Sequence, residues 1–390
     1  MSKKVTLADV CTLRNGRAYK KPELLSEGKY PVLRVGNFFT SDNWYYSDLE
    51  LDDTKYCDTG DLLYAWSASF GARIWDGEKV IYHYHIWRVD VETEIIDKKF
   101  LFYWFEFDKE KIKKESGTGT TMMHVSKGSM EKRELWLPSL AEQQRIVAKL
   151  DAAFAEIDRA AALTEAKLTE AQNLLDASVA KIFDDNLTGA EHFFLNDVVT
   201  RLTNGYVGAT KNIYQDKGIP YLLARHVRNN TLTFDGKTFV SSEFNSKNKK
   251  SILKQDDVLL VQSGHIGHTA VVPKEHEGHN CHAMIVITTV KNALSGEYLS
   301  ALFNSCDYKV KLLSLRTGST VPHLNCGDVK KVRIPIPNKD TQERIISLTK
   351  SATASFAKID ALLSFKLVQL NKLRGAILAT ELQPTQSKTA

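Results

Sequence analysis

Phe154-Ala155-Glu156-Ile157-Asp158 returns later in the chain as Phe356-Ala357-Lys358-Ile359-Asp360. Outward from these two stretches the agreement continues in order. Gln143 is answered by Gln342, Arg145-Ile146 by Arg344-Ile345, and Leu135-Trp136-Leu137-Pro138 by Ile334-Pro335-Ile336-Pro337. Further back, His124-Val125 matches His323-Leu324, and Thr118-Gly119-Thr120-Thr121 matches Thr317-Gly318-Ser319-Thr320. These matches keep one offset of 199 residues, and a three-residue insertion precedes the Phe-Ala-x-Ile-Asp echo. Leu7-Ala8-Asp9-Val10 and Leu13-Arg14-Asn15-Gly16 recur as Leu195-Asn196-Asp197-Val198 and Leu202-Thr203-Asn204-Gly205. Solenoids repeat every 20–50 residues or so, so a period near 200 marks a duplicated domain pair.

Each copy has two textures. Residues 1–138 and 188–337 mix β-branched and aromatic runs with Gly, Asn and Asp turns, the signature of strands. Val80–Trp87 and Ile285–Val290 read as strands, and 98–113 and 296–313 as helices. Residues 139–187 and 338–383 have almost no Gly and read as one long helix each, with 384–390 a flexible tail. The first helix carries a seam at Leu150, Phe154, Ile157, Ala161, Thr164, Leu168, Ala171, Leu175, Ser178 and Ile182. The second gives Ala352, Phe356, Ile359, Leu363, Lys366, Leu370, Leu373 and Ile377. A seam at alternating steps of four and three needs a partner helix, and the other copy is the obvious one. The expected fold is therefore α/β (α+β): two similar mixed domains separated by two long helices in an antiparallel coiled coil, with a pseudo-two-fold internal repeat.

Composition excludes several classes. The 390 residues are 43% hydrophobic and 25% charged, ordinary for a globular protein, with a net charge of +5 that is compatible with nucleic acid but does not establish it. No apolar run reaches the ~20 residues that span a bilayer, and Met1–Val10 lacks the apolar core of a signal peptide. Cys11, Cys57, Cys281, Cys306 and Cys326 form no CxxC pair, which reads as reduced thiols in a cytoplasmic setting. No GxxxxGK[ST] phosphate loop and no Asn-Pro-Pro-aromatic motif occurs, so nucleotide hydrolysis and amino-methyl transfer have no residues to carry them.

One segment suggests metal chemistry. His265, His268, His276, His279, Cys281 and His282 supply imidazole and thiolate groups of the kind zinc takes, and a metal-dependent hydrolase is the alternative they raise. Their spacing fits no zinc pattern, and His282 aligns with His85, where the other ligands have no equivalents. A polar DNA-facing loop or plain surface histidines explain the same residues.

Leu137-Pro138-Ser139-Leu140-Ala141-Glu142-Gln143-Gln144-Arg145-Ile146-Val147 resembles the proline-ended strand and Glu-Gln-rich helix start of specificity subunits of Type I restriction-modification systems. The layout of variable domain, long helix, variable domain, long helix is similar to that family over essentially the whole chain. The second copy, Ile336–Ile346, has Thr341 where the first has a family glutamate. The resemblance implies a non-catalytic chain with two target recognition domains, each reading half of a split double-stranded DNA site. It implies that the paired helices act as a ruler and dock two modification (methyltransferase) subunits. Restriction and translocase subunits complete the assembly, and S-adenosylmethionine, ATP and Mg belong to those other chains. A two-domain scaffold without DNA binding is the remaining alternative.

Three loops carry the candidate DNA contacts. After the strand entered at Asp61 comes Trp66-Ser67-Ala68-Ser69-Phe70-Gly71-Ala72-Arg73, and after Asp257 comes Gln262-Ser263-Gly264-His265-Ile266-Gly267-His268. Ser67 aligns with Ser263 and Gly71 with Gly267 while the residues between them differ, as two domains reading different half-sites require. Arg73, Gln262 and His265 are base-reading candidates, since Arg favours guanine and Gln or Asn adenine. A second pair of loops holds Arg34 and Asn37 in one copy and Arg225, His226 and Arg228 in the other. Arg34 is aligned with Arg225, which suits a phosphate contact or a structural ion pair; Asn37 and Arg228 suit base edges. The third pair, with Thr120, Thr121, Ser319 and Thr320, offers hydroxyls for phosphate oxygens, with His124 and His323 capping it.

The ruler is directly testable. The tandem Leu163-Thr164-Glu165-Ala166 and Leu168-Thr169-Glu170-Ala171 marks a place where a further four residues extend the helix by ~6 Å while turning it only ~40° out of phase. At about 3.4 Å per base pair, methylation mapping of that insertion variant should show the gap between half-sites longer by one or two base pairs, with both half-sites unchanged.

Overall fold

The computed structural model describes residues 3–67, 69–116, 124–318 and 322–383. The chain forms two compact units, residues 1–164 with 365–390 and residues 165–364. Each unit therefore holds one mixed α/β domain and one half of each long helix.

In unit 1 the central element is a four-stranded antiparallel sheet in which Leu62–Ser67 lies between Ile86–Val91 and Ser69–Ile74, with Cys11–Asn15 at the far edge. Its alternation decides the layering. Leu62 and Tyr64 point into a core shared with the helix Lys98–Ser116, while Leu63 and Ala65 point into a second core with Phe38, Trp75 and Tyr82. Unit 2 repeats the plan. Val258–Val261 lies between Met284–Thr289 and Thr269–Val271, with Val199–Asn204 at the edge. Val258 and Leu260 face Tyr298 and Leu302, and Leu259 and Val261 face Leu222 and Met284.

The Asn-Gly echo has a steric cause. A Cβ on Gly16 would stand 2.4 Å from the His83 carbonyl oxygen, and one on Gly205 would stand 2.7 Å from that of Cys281. In both units the edge strand passes so close to the neighbouring backbone that only glycine fits.

The long helices are Leu140–Leu187 and Lys339–Leu382. Each follows a proline, and the side chains of Ser139 and Asn338 accept from the N–H groups of Glu142 and Thr341, capping the first turn. Gln143, fully buried, then joins helix to domain: its Oε1 accepts from Asp97 N–H at 2.7 Å, and its Nε2 donates to the carbonyls of Ile95 and Pro138. Gln342 makes the same three bonds, to Ser295 N–H and the carbonyls of Ala293 and Pro337.

In unit 1 the helices run antiparallel: Lys149 pairs with Glu381 and Asp158 with Arg374, one number rising as the other falls. Leu150, Phe154 and Ile157 pack there with Leu370 and Leu378. In unit 2, Val179 and Phe183 share a core with Ile345 and Ile346. The inward stripe of the first helix includes every seam position expected of it. On the second helix Phe356, Leu363 and Leu370 face inward, but Ile359 is 43% exposed and Lys366 and Leu373 are exposed too. Asp360, Leu367 and Arg374 take those places. The reason is that neither helix is interrupted, so burial keeps the 199-residue offset throughout: Ile157, not Phe154, is the positional equivalent of Phe356. The three-residue insertion inferred from the pentapeptide echo moves side chains along the helix without moving the seam.

Replacing Gln143 by Leu leaves a buried N–H and two buried carbonyls unpartnered. Removing such a partner costs about 1–3 kcal/mol, so urea unfolding should show a clearly lower midpoint than for an exposed control such as Gln144→Leu.

Candidate nucleic-acid interface

The strand ends of the two units are built on one backbone frame. Ser67 bridges His124 in unit 1 and Ser263 bridges His323 in unit 2. Val125 N–H donates to Trp66 O at 3.2 Å, and Leu324 N–H donates to Gln262 O at 2.9 Å. Trp66 and Gln262 thus occupy one position, as do Ser67 and Ser263. Of the third loop pair, Thr120, Thr121, Ser319 and Thr320 lie outside the described residues.

The side chains on this frame differ. Trp66 stacks on the buried Trp87 (centroids 5.6 Å apart, 19° between planes), and its Nε1 donates to Tyr84 O at 2.9 Å. Gln262 is 8% exposed, and its Oε1 has no hydrogen-bond partner among the described residues. His265 places Nε2 3.1 Å from Ala224 O and its ring edge-on to His268. Burial, with Lys309 and Arg228 nearby, pushes the His268 imidazole down to about 4, so it is neutral at pH 7.

Two alignments change. His83 N–H donates to Leu33 O, as His282 N–H does to Leu222 O, and Tyr84 N–H donates to Arg17 O, as Ala283 N–H does to Tyr206 O. The counterpart of His282 is therefore His83, not His85. Since Leu33 corresponds to Leu222, Arg34 corresponds to Leu223 rather than to Arg225. Both precede a short helical turn with near-identical dihedrals, φ −109°, ψ 164° and φ −117°, ψ 162°. The preceding connections differ in length, which made the two arginines look aligned.

The remaining candidates divide by what holds them. Arg34 is exposed and lies over the Tyr45 ring at 5.0 Å, with no carboxylate partner among the described residues. Arg225 is paired with Asp235 at 3.0 Å and donates to Thr238, the ion-pair alternative of the two considered. His226 is buried, its Nδ1 accepting from Leu223 N–H and its Nε2 3.1 Å from Asp235. Asn37 is buried and donates both amide hydrogens to the carbonyls of Ser41 and Asn43, so its donors shape its own loop. Arg73 donates to Phe38 O and pairs with Asp76 at 2.7 Å, over the Trp75 ring. Arg228 is exposed on a tight hairpin whose central residues, Asn229 and Asn230, have φ of 39° and 65°, the left-handed pair that a type I′ turn demands. Asn230 is tied by Ser300 and Asn304, and Asn229 by Lys309.

The histidine-rich segment separates into pairs. His265 meets His268, His276 meets His279 with Nδ1 atoms 3.1 Å apart, and His282 lies 3.5 Å from the Tyr221 hydroxyl. Among the described residues no three His, Cys, Asp or Glu side chains converge as metal ligands. No helix among them is long and apolar enough to cross a membrane.

A model of the Type I restriction modification DNA specificity domain matches residues 2–170 and again 188–358. The chain belongs to that family. It is similar to the Type I restriction enzyme EcoBI specificity subunit of Escherichia coli, 21% identical over 406 residues covering 96% of this chain and 84% of the relative. The MjaVIII specificity subunit of Methanocaldococcus jannaschii is 22% identical over 334 residues, covering 81% of this chain and 76% of the relative. A chain from a structural study of assembly and conformational transition of the type I R-M system superposes with a TM-score of 0.73 at 17% identity, covering 97% of both chains, a likeness of fold. Specificity domains of this family are the non-catalytic DNA-recognition component.

The histidine pairs make a prediction of their own. Zinc titration of the purified chain should show no equimolar high-affinity uptake. Uptake abolished by His279→Ala would mean that the pairs rearrange into a site.

Proposed function

We propose that this chain reads a split double-stranded DNA target for a Type I restriction-modification complex, residues 1–138 recognising one half and 188–337 the other. The observation that carries this reading is the shared strand-end frame with different contents: Trp66 against Gln262 at one position, held by the same backbone hydrogen bonds. A fixed frame with exchangeable side chains is what reading two different half-sites requires. Arg34, with its guanidinium on an aromatic ring and no carboxylate partner among the described residues, suits a phosphate contact. Trp66, Ser67, Gln262, Ser263, His265 and Arg228 stand at or beside the strand ends, where base edges are read.

Residues 139–187 and 338–383 serve as spacer helices and as the dock for two modification subunits, with restriction subunits joining the assembly. Exposed apolar side chains along them support this: Leu362 is 70% exposed, Leu174 66% and Phe365 63%. Methyl transfer from S-adenosylmethionine and the ATP- and Mg-dependent steps belong to those partners, in the cytoplasm.

Exchanging residues 188–337 for a different recognition domain tests the division of labour. Methylation mapping should show one half-site changed, with the other half and the gap retained; a folded, assembled graft that alters both halves refutes separate reading.

The two arginines provide a second test. Arg34→Ala should weaken specific and non-specific DNA binding alike and reduce the salt slope by roughly one. Arg225→Ala, which removes an internal ion pair, should leave that slope unchanged.

A further inference from the structure

Between the shared residues His83/His282 and Ile86/Met284, unit 1 has two residues and unit 2 has one. The anchors are the same on both sides: Gly16 N–H donates to Ile86 O and Gly205 N–H to Met284 O. In unit 2 the single residue, Ala283, crosses the gap with φ of 45°, a conformation strained for alanine. In unit 1 Tyr84 matches Ala283, and His85 is the additional residue.

The longer connection builds an aromatic and imidazole patch with no counterpart among the described residues of unit 2. Tyr84 and His85 ring centroids are 3.8 Å apart, His83 lies 4.6 Å from Tyr84, and Trp66 meets His85 edge-on at 5.1 Å. His124, on the segment that closes the strand-end frame, is 6.2 Å from His85. Trp66 is fixed from behind by Trp87 and by its bond to Tyr84 O, so the patch rests on a rigid base. Tyr84 is 38% exposed. Its hydroxyl and the ring nitrogens of His85 have no hydrogen-bond partners among the described residues.

We infer that Tyr84 and His85 are specificity-determining residues for the half-site read by unit 1, contacting base-pair edges in the major groove. This rests on the proposed DNA-reading role of the strand ends. The exposed tyrosine ring presents an apolar face of the kind that meets the thymine methyl group, and an imidazole with free nitrogens both donates and accepts at a neighbouring base edge. Burial lowers the His85 pKa, with His124 adding to the effect, and brings His83 down to about 4; both are therefore neutral at pH 7. The patch discriminates by shape and hydrogen bonding and adds no phosphate-seeking charge. Unit 2, with Ala283 and Gln262 at the matching places, reads different chemistry from the same frame.

The experiment is methylation mapping in cells supplying the modification subunit, with Tyr84→Ser and His85→Ala introduced separately into the full chain. In parallel, the assembled complex is titrated with target DNA and with DNA lacking the target. Each variant should relax one or two positions within a single half-site and lower specific over non-specific binding roughly tenfold or more, the scale of one good base contact. The other half-site and the gap should be unchanged. An unaltered methylated sequence with unaltered affinity for both variants overturns the assignment, as does equal weakening on target and non-target DNA. Should either variant fail to fold, His85→Phe, which keeps a ring but has no donor or acceptor, and Tyr84→Gln, which has no aromatic face, take their places in the same mapping; relaxation within that half-site without loss of assembly supports the contact, and an unchanged site for both overturns it. The domain graft keeps the two readings apart: if it transfers a half-site while these variants change nothing, only the patch is wrong.

Discussion

A buried glutamine at the start of each long helix fixes how that helix leaves its domain. Gln143 and Gln342 each accept one backbone N–H and donate to two carbonyls, and one of those carbonyls belongs to the proline that ends the last strand. Glutamic acid in its ionised form would turn an oxygen toward two carbonyl oxygens, and an apolar side chain would leave three buried polar groups unpaired. The side chain thereby ties the final strand, the loop before the domain helix and the first turn of the spacer into one body. A 48-residue helix, Leu140–Leu187, magnifies any angular error at its root, so this junction has to be stiff.

From that fixed start the two copies diverge by substitution on a common lattice. Lys99 pairs with Asp151 at 2.6 Å in unit 1, and Glu297 pairs with Lys350 at 2.7 Å in unit 2, the same bridge with its charges exchanged. The large side chains do not compensate in this way. Where unit 1 has Leu150, Phe154 and Tyr103, unit 2 has Thr349, Thr353 and Ala301, and a cleft of about 320 Å³ opens there, walled also by the Arg228–Thr231 hairpin. Loss of side-chain volume at three facing positions explains that opening, since the helices on either side are continuous.

Much of this was legible in the sequence because it rests on periodicity and on invariant chemistry. The repeat, the alternating strands, the long helices and the glutamines appear as patterns or exact echoes. The seam of the second helix was misphased because Phe356-Ala357-Lys358-Ile359-Asp360 copies the text of the first helix at a shifted position; the backbone counts residues and ignores the echo. Asn37 looked like a base reader because the sequence does not show that both its amide hydrogens serve its own loop. Arg34 and Arg225 looked equivalent because connections of unequal length precede them, and the backbone bonds of His83 and His282 are needed to set that register. Nothing in the sequence distinguishes His85 as the additional residue, since all four residues His83-Tyr84-His85-Ile86 fall inside Val80–Trp87, which reads as one unbroken strand.

The placement of charge follows the same division between frame and contents. Arg73 and Arg225, two of the candidate cations, are held by Asp76 and Asp235. Gln262 and Trp66, which differ between the units, carry no ionisable group, and burial holds the His85 imidazole below its ordinary value. A site that discriminated by net charge would attract every DNA sequence alike, because phosphate repeats along all of them. Neutral donors, acceptors and aromatic faces respond to the pattern of base edges, and they need rigid placement to do so. The frame supplies that rigidity through backbone hydrogen bonds that do not depend on which side chain is present. One connection can therefore gain a residue, as at His85, while the sheet beneath it and the glutamine junction behind it keep their geometry.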